Sequence, residues 1–208
     1  MSSFRRRLMQ GLKKDRYTEL EYIESTGTQY IDTGYYPNPA TTKVETTFIL
    51  TNDTVSTQGL LGARNKKGIS RSSCNIFFNE RKDNLRLDWL GLGTAQYAPI
   101  NIGEEITLIC KNNEVIVIEN NVSTKYKGLN EKMTTEIPYS IYIGNLNNVG
   151  TFYETGGYAK WKTFKIYDEN DNLVMDMIPV LDNSKVPCMY DKLNKKFYYN
   201  QGTGEFLY

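Results

Sequence analysis

From Leu20 onward the apolar residues fall in short clusters at alternate positions, each closed by a polar turn, and no apolar stripe with helical spacing runs for ten residues or more. That pattern restricts the chain to strands, because successive side chains of a strand point to opposite faces of its sheet. Lys43–Leu50 is the clearest case. Val44, Thr46, Phe48 and Leu50 share one face, while Lys43, Glu45 and Thr47 share the other. Further strands are expected near residues 20–24, 29–32, 60–64, 74–79, 85–89, 105–110, 115–119, 140–144, 158–167, 173–180 and 196–200. Lys111-Asn112-Asn113-Glu114 and Glu119-Asn120-Asn121-Val122 have hairpin-turn chemistry, and Asp168-Glu169-Asn170-Asp171-Asn172 joins two more strands. Strands separated by polar turns every 8–12 residues are the signature of an all-β, antiparallel two-sheet β-sandwich or barrel. No linker rich in Pro, Gly or Ser divides this region, so 19–208 is expected to be one domain.

Composition narrows the chemistry. The 208 residues hold no histidine, which removes the usual general base, the usual metal-binding imidazole and the usual pH switch. The three cysteines, Cys74, Cys110 and Cys188, are odd in number, far apart and set among apolar residues. They read as buried free thiols of a protein made in a reducing cytoplasm. With 25 basic and 24 acidic side chains there is no global field to draw nucleic acid. The cluster Arg64, Lys66, Lys67 and Arg71 reads as a solvated loop. No apolar run approaches the roughly 20 residues of a membrane span.

Residues 1–18 differ from the rest. Phe4, Leu8 and Leu12 recur at four-residue spacing, with Arg5, Arg6, Arg7, Lys13, Lys14 and Arg16 around them. This reads as a short basic amphipathic helix or tail that docks onto another protein or onto the chain's own oligomer. Its apolar stretch is too short for a secretory signal.

Two stretches carry a family likeness. The first is LEYIESTGTQYIDTG at 20–34. The second runs from Phe164-Lys165-Ile166-Tyr167-Asp168 through Leu173-Val174-Met175-Asp176-Met177-Ile178-Pro179-Val180 to Met189-Tyr190-Asp191 and KFYYNQGTGEF at 196–206. They resemble the first and last strands of laminin-G-like, concanavalin-A-like jelly-roll domains, found in fibre and tail proteins of phages of gut bacteria and in surface proteins of those bacteria. The leader resembles that of structural proteins of crAss-like phages. The resemblance implies a jelly roll whose first and last strands lie together. It also implies a non-catalytic virion protein (fibre, head-decoration or tail-associated), made in the host cytoplasm. Other virion proteins would be its partners, in a homo-oligomer such as a trimer, with a host surface glycan as ligand. The alternative is a soluble or surface lectin module of a gut bacterium.

Glycoside hydrolysis needs two carboxyl groups flanking the bond, and no strand here carries acidic residues in the E-x-D-x-E pattern. Glu19/Glu21 and Asp168/Glu169/Asp171 are the nearest groupings, and they read as surface carboxylates. No cofactor is expected. Calcium is the one metal the loops suggest, with Asp168 and Asp171 as weak candidate ligands beside Asn170 and Asn172. For sugar binding the aromatic candidates are Tyr35, Tyr36, Tyr97, Tyr153 and Tyr158, with Phe152 beside Tyr153 in a glycine-flanked loop. Trp89 and Trp161 lie within strands and read as core.

Overall fold

The computed structural model describes residues 17–38, 41–65, 73–78, 80–89, 96–128 and 136–208. The leader residues Phe4, Arg5, Arg6, Arg7, Leu8 and Leu12 lie outside them, as do Lys66, Lys67 and Arg71. The described residues contain no helix. Their strands are β1 (Tyr17–Glu19), β2 (Ile23–Thr26), β3 (Ile31–Asp32), β4 (Lys43–Leu50), β5 (Gln58–Arg64), β6 (Ser73–Phe78), β7 (Asn84–Trp89), β8 (Gln96–Pro99) and β9 (Glu105–Lys111). There follow β10 (Glu114–Glu119), β11 (Val122–Lys127), β12 (Tyr142–Ile143), β13 (Asn147–Asn148), β14 (Thr151–Phe152), β15 (Tyr158–Tyr167), β16 (Leu173–Asp182), β17 (Pro187–Asp191) and β18 (Lys196–Tyr198).

They form two sheets. The first has the order β11-β10-β9-β4-β15-β16-β17-β18, with β1 paired to β16 and β2 to β15. The second has the order β14-β13-β5-β6-β7-β8, with β12 joining β5 to β3. Pairing is antiparallel as expected, except that the two-residue β13 runs parallel to β5. Tyr17 and Thr18, read from sequence as the end of the leader, pair with Asp182 and Leu181. Glu19, read as a surface carboxylate at the start of the domain, pairs with Val180.

Burial follows the alternation. Along β4 the burial of Val44, Thr46, Phe48 and Leu50 alternates with part-exposed neighbours. Val44, Phe48 and Leu50 join Ile106, Leu108 and Cys110 of β9 and Trp161, Phe164 and Ile166 of β15 in a core shared with Ile76 and Phe78 of β6 and Leu85, Leu87 and Trp89 of β7. Trp161 packs on Phe48 at a ring separation of 5.1 Å. Its indole N–H donates to Ser25 Oγ at 3.0 Å, and that hydroxyl donates to the Gly157 carbonyl at 2.7 Å. A buried indole therefore keeps its hydrogen bond, and the same bond fastens β2 beside β15.

All three cysteines are free and buried. Burial pushes the Cys74 and Cys188 thiols up to about 12 and raises Cys110 as well.

The turns carry the expected chemistry. Asn112, Asn120 and Asn121 have positive φ at the two Asn-Asn hairpins, a conformation that asparagine tolerates. Asp191, fully buried between β17 and β18, accepts backbone N–H bonds from Asp176, Leu193 and Asn194 at 3.1, 3.0 and 3.3 Å. Asp191→Ala leaves these donors unpartnered and should destabilise the domain by about 1–3 kcal/mol, measured as a lower urea midpoint at unchanged m-value.

Candidate functional site

Three loops meet at one end of the sandwich. The β2–β3 turn (27–30), the segment 144–157 around β13 and β14, and the turn after β18 (200–204) are knitted by backbone bonds. Gly156 N–H donates to Gly27 O at 3.0 Å, Gln201 N–H to Tyr30 O at 2.8 Å and Thr203 N–H to Thr28 O at 3.3 Å. Asn200 Oδ1 accepts from the N–H groups of both Tyr30 and Gly202. Approach this close requires glycine at one position above all. A Cβ on Gly202 would stand 1.9 Å from the Thr28 carbonyl oxygen.

The loops enclose an open cleft of about 220 Å³, lined by Gly27, Thr28, Tyr30, Asn145, Phe152, Glu154, Gln201, Gly202 and Thr203. Phe152 is 61% exposed on its rim. Tyr30 stacks on Tyr142 with ring centroids 4.7 Å apart, and burial together with the nearby Asp32 carboxylate raises its pKa. Asn145 is held in place: its Oδ1 accepts from Leu146 and Tyr153 N–H, and its Nδ2 donates to Tyr153 O. The Glu154 carboxylate takes no hydrogen bond or ion pair from the described residues. Two aromatic faces, two amides, threonine hydroxyls and one carboxylate thus converge on a space that fits a small polar ring with apolar C–H faces.

None of the five tyrosines singled out from sequence lines this cleft, though two support it. Tyr158 packs its ring against Gly27, so close that a Cβ there would meet the ring at 2.8 Å. Tyr153 follows Phe152 but turns the other way, making an edge contact with Phe77 at 5.5 Å. Tyr36 is 64% exposed beyond Tyr142, whereas Tyr35 packs partly buried against the core. Tyr97 sits across the second sheet, where its hydroxyl donates to Glu80 at 3.0 Å and Arg81 covers its ring at 4.0 Å. Gln201 and Thr28 stood in the sequence only within the two stretches that carry the resemblance, with no role of their own. The adjacent Phe-Tyr pair did signal an aromatic loop, yet alternation alone could not say which ring faced outward.

A second polar cluster lies on the outer face of that sheet. Arg86 pairs with Glu80 at 2.7 Å and with the buried Asp88 at 2.8 Å, and Arg64 donates to Asn148 Oδ1 beside the Phe77 and Tyr153 rings. Burial raises Asp88 despite the arginine partner.

Asp168 and Asp171, the calcium candidates, have other partners. Asp168 accepts from Asn170 and Asn172 N–H and from Asn172 Nδ2, and Asp171 pairs with Lys111 and Lys43. Among the described residues no group of three or more Cys, Asp or Glu side chains could hold a metal ion.

No protein-family model matches the chain, and no curated protein matches it. Solved structures do. A candidate carbohydrate-binding protein from Bacteroides ovatus aligns over 88% of this chain with a TM-score of 0.56 and 12% identity. The fold is shared. The chain spans 59% of the length of that protein. The CBM40 of Ruminococcus gnavus IT-sialidase, solved with α2,3-sialyllactose, aligns over 76% of this chain and 91% of its own length, at a TM-score of 0.47 and 14% identity. The all-β, two-sheet sandwich expected from the sequence is thus the fold shared with the Bacteroides ovatus protein.

Gly202→Ala should destabilise the domain by about 1–3 kcal/mol and perturb the amide resonances of residues 27–30 in an NMR spectrum, because the Thr28 carbonyl must move. Asp168 gives a pH signature. The Asn172 side chain, then the Asn172 and Asn170 N–H groups, hold its carboxyl below the ordinary 3.8. The stability it contributes is present above that value and lost as pH falls through the lowered one. In acid unfolding below about pH 4, Asp168→Ala should therefore show a shallower loss of stability than the unaltered protein.

Proposed function

We propose that this chain is a non-catalytic carbohydrate-binding domain that takes one sugar ring in the cleft lined by Tyr30 and Phe152. One observation carries the reading: a solvent-exposed phenylalanine stands over a cleft whose other walls are amides, hydroxyls and a carboxylate with no partner among the described residues. Water gains nothing from such a ring, but the apolar face of a pyranose does, and the surrounding polar groups fix its hydroxyls. The volume is below the about 300–1,000 Å³ of drug-sized sites, which suits a terminal or single residue rather than a long chain.

Catalysis has less support. Hydrolysis by the common routes uses a pair of carboxyl groups, and among the lining residues Glu154 is the sole carboxylate. The shared fold with the Bacteroides ovatus protein agrees with a binding role.

Mounting on a virion was expected from the leader, 1–18, and the resemblance, and neither the described residues nor the similar structures add to it. Glycan binding, the alternative reading of the sequence, is the one the cleft favours.

Glycan-array and calorimetric binding test it. Phe152→Ala should weaken the glycan bound by the unaltered protein tenfold or more, about 1.4 kcal/mol, with no change in melting temperature. An array without signal, or binding indifferent to Phe152→Ala, would overturn the proposal.

A further inference from the structure

The charge of the cleft says which sugars it admits. Its lining contains no lysine or arginine; the single charged side chain is Glu154, exposed and close to the rim residue Phe152. The charge that bears on Tyr30, across the lining, is also negative, from Asp32. The remaining groups are neutral. Asn145 has its Oδ1 committed to two backbone N–H groups, Gln201 donates one amide proton to Tyr199 O, and Thr28 Oγ1 donates to Thr203 O. What is left over is the Glu154 carboxylate, one amide N–H each on Asn145 and Gln201, the carbonyl end of Gln201, and the Tyr30 and Thr203 hydroxyls, which both donate and accept. That set is richer in acceptors than in donors.

We propose, building on the carbohydrate reading above, that the cleft selects an uncharged pyranose with two neighbouring free hydroxyls and rejects sugars bearing a carboxylate or sulfate, with Glu154 as the residue that discriminates. An ionised carboxylate is an acceptor with two oxygens, so it takes a proton from each of two adjacent hydroxyls. Charge assistance makes those bonds stronger than neutral ones. A ligand carboxylate meets no counter-charge among the lining residues and is repelled by Glu154 across the open cleft, as like charges are near a protein surface. Arginines capable of receiving an acidic group do exist in this protein, but Arg64 and Arg86 lie on the outer face of the second sheet and line no part of the cleft.

Calorimetry with matched pairs that differ only at C6, glucose against glucuronate and galactose against galacturonate, accompanies an array of neutral, sialylated and sulfated glycans. The protein is compared with its Glu154→Gln, Phe152→Ala and Arg64→Ala variants. The expected result is that array hits are neutral, that Phe152→Ala abolishes them and that Glu154→Gln weakens them about tenfold. Uronates should bind the unaltered protein at least tenfold more weakly than their neutral partners, and Glu154→Gln should narrow that gap. Acidic hits lost in Phe152→Ala would leave the cleft as the sugar site and sink the selectivity. Neutral hits unaffected by Glu154→Gln would sink the assignment of Glu154. Acidic hits lost in Arg64→Ala and indifferent to Phe152→Ala would move binding to the other sheet. That result, or an array without hits, would end the cleft reading and the selectivity with it.

Discussion

The cleft and much of the sandwich's order depend on one constraint: residues 24–30 and 200–207 must hydrogen-bond to each other. Glu24 N–H donates to Leu207 O at 2.7 Å and Leu207 N–H returns a bond to Glu24 O at 3.0 Å. Gln201 and Thr203 then bond to Tyr30 and Thr28, and Asn200 holds both sides through one oxygen. The two segments are about 175 residues apart in sequence, as the Thr28–Thr203 bond shows. Closing so long a loop costs chain entropy, and backbone pairs over a glycine that admits no side chain offset it. Whatever the cleft binds, its floor is set by this seam rather than by any flexible loop.

Trp161 links that seam to the core. Its ring fills space between the sheets beside Phe48, and its N–H reaches Ser25 on the strand that leads into the cleft turn. Ser25 passes the connection to Gly157, at the far end of the segment that carries Phe152 and Glu154. Packing and polar satisfaction therefore act on the same few atoms. A site mounted this way is held by rigid elements on two sides, which suits recognition of a small rigid ring.

The strands most legible in sequence were those with one face buried. β4 and β15 were expected with the bounds they have: β4 alternates over all eight residues, and β15 alternates on either side of a register shift between Trp161 and Thr163. β11 was missed because it is an outer strand exposed on both faces, with no apolar alternation to mark it. β13 and β14 were missed because two-residue pairings have no period at all. The resemblance anticipated that the first and last strands lie together, and they do. It gave Thr28, Gln201 and Gly202 no role beyond the two stretches in which they lie. They are turn residues, and the turns happen to face one another.

By itself, the sequence determined that this chain folds as strands in two sheets, that its cysteines are buried, and that histidine-based chemistry is absent. Those properties are local: periodicity, residue type and turn chemistry act over a few neighbouring positions. Only the tertiary structure decided where a ligand could sit. Phe152 and Tyr153 are adjacent and chemically alike, yet one stands in solvent over a cleft and the other packs on Phe77. The difference arises just after β14, where Tyr153 turns onto Phe77 of β6, a partner distant in sequence that no local pattern reveals.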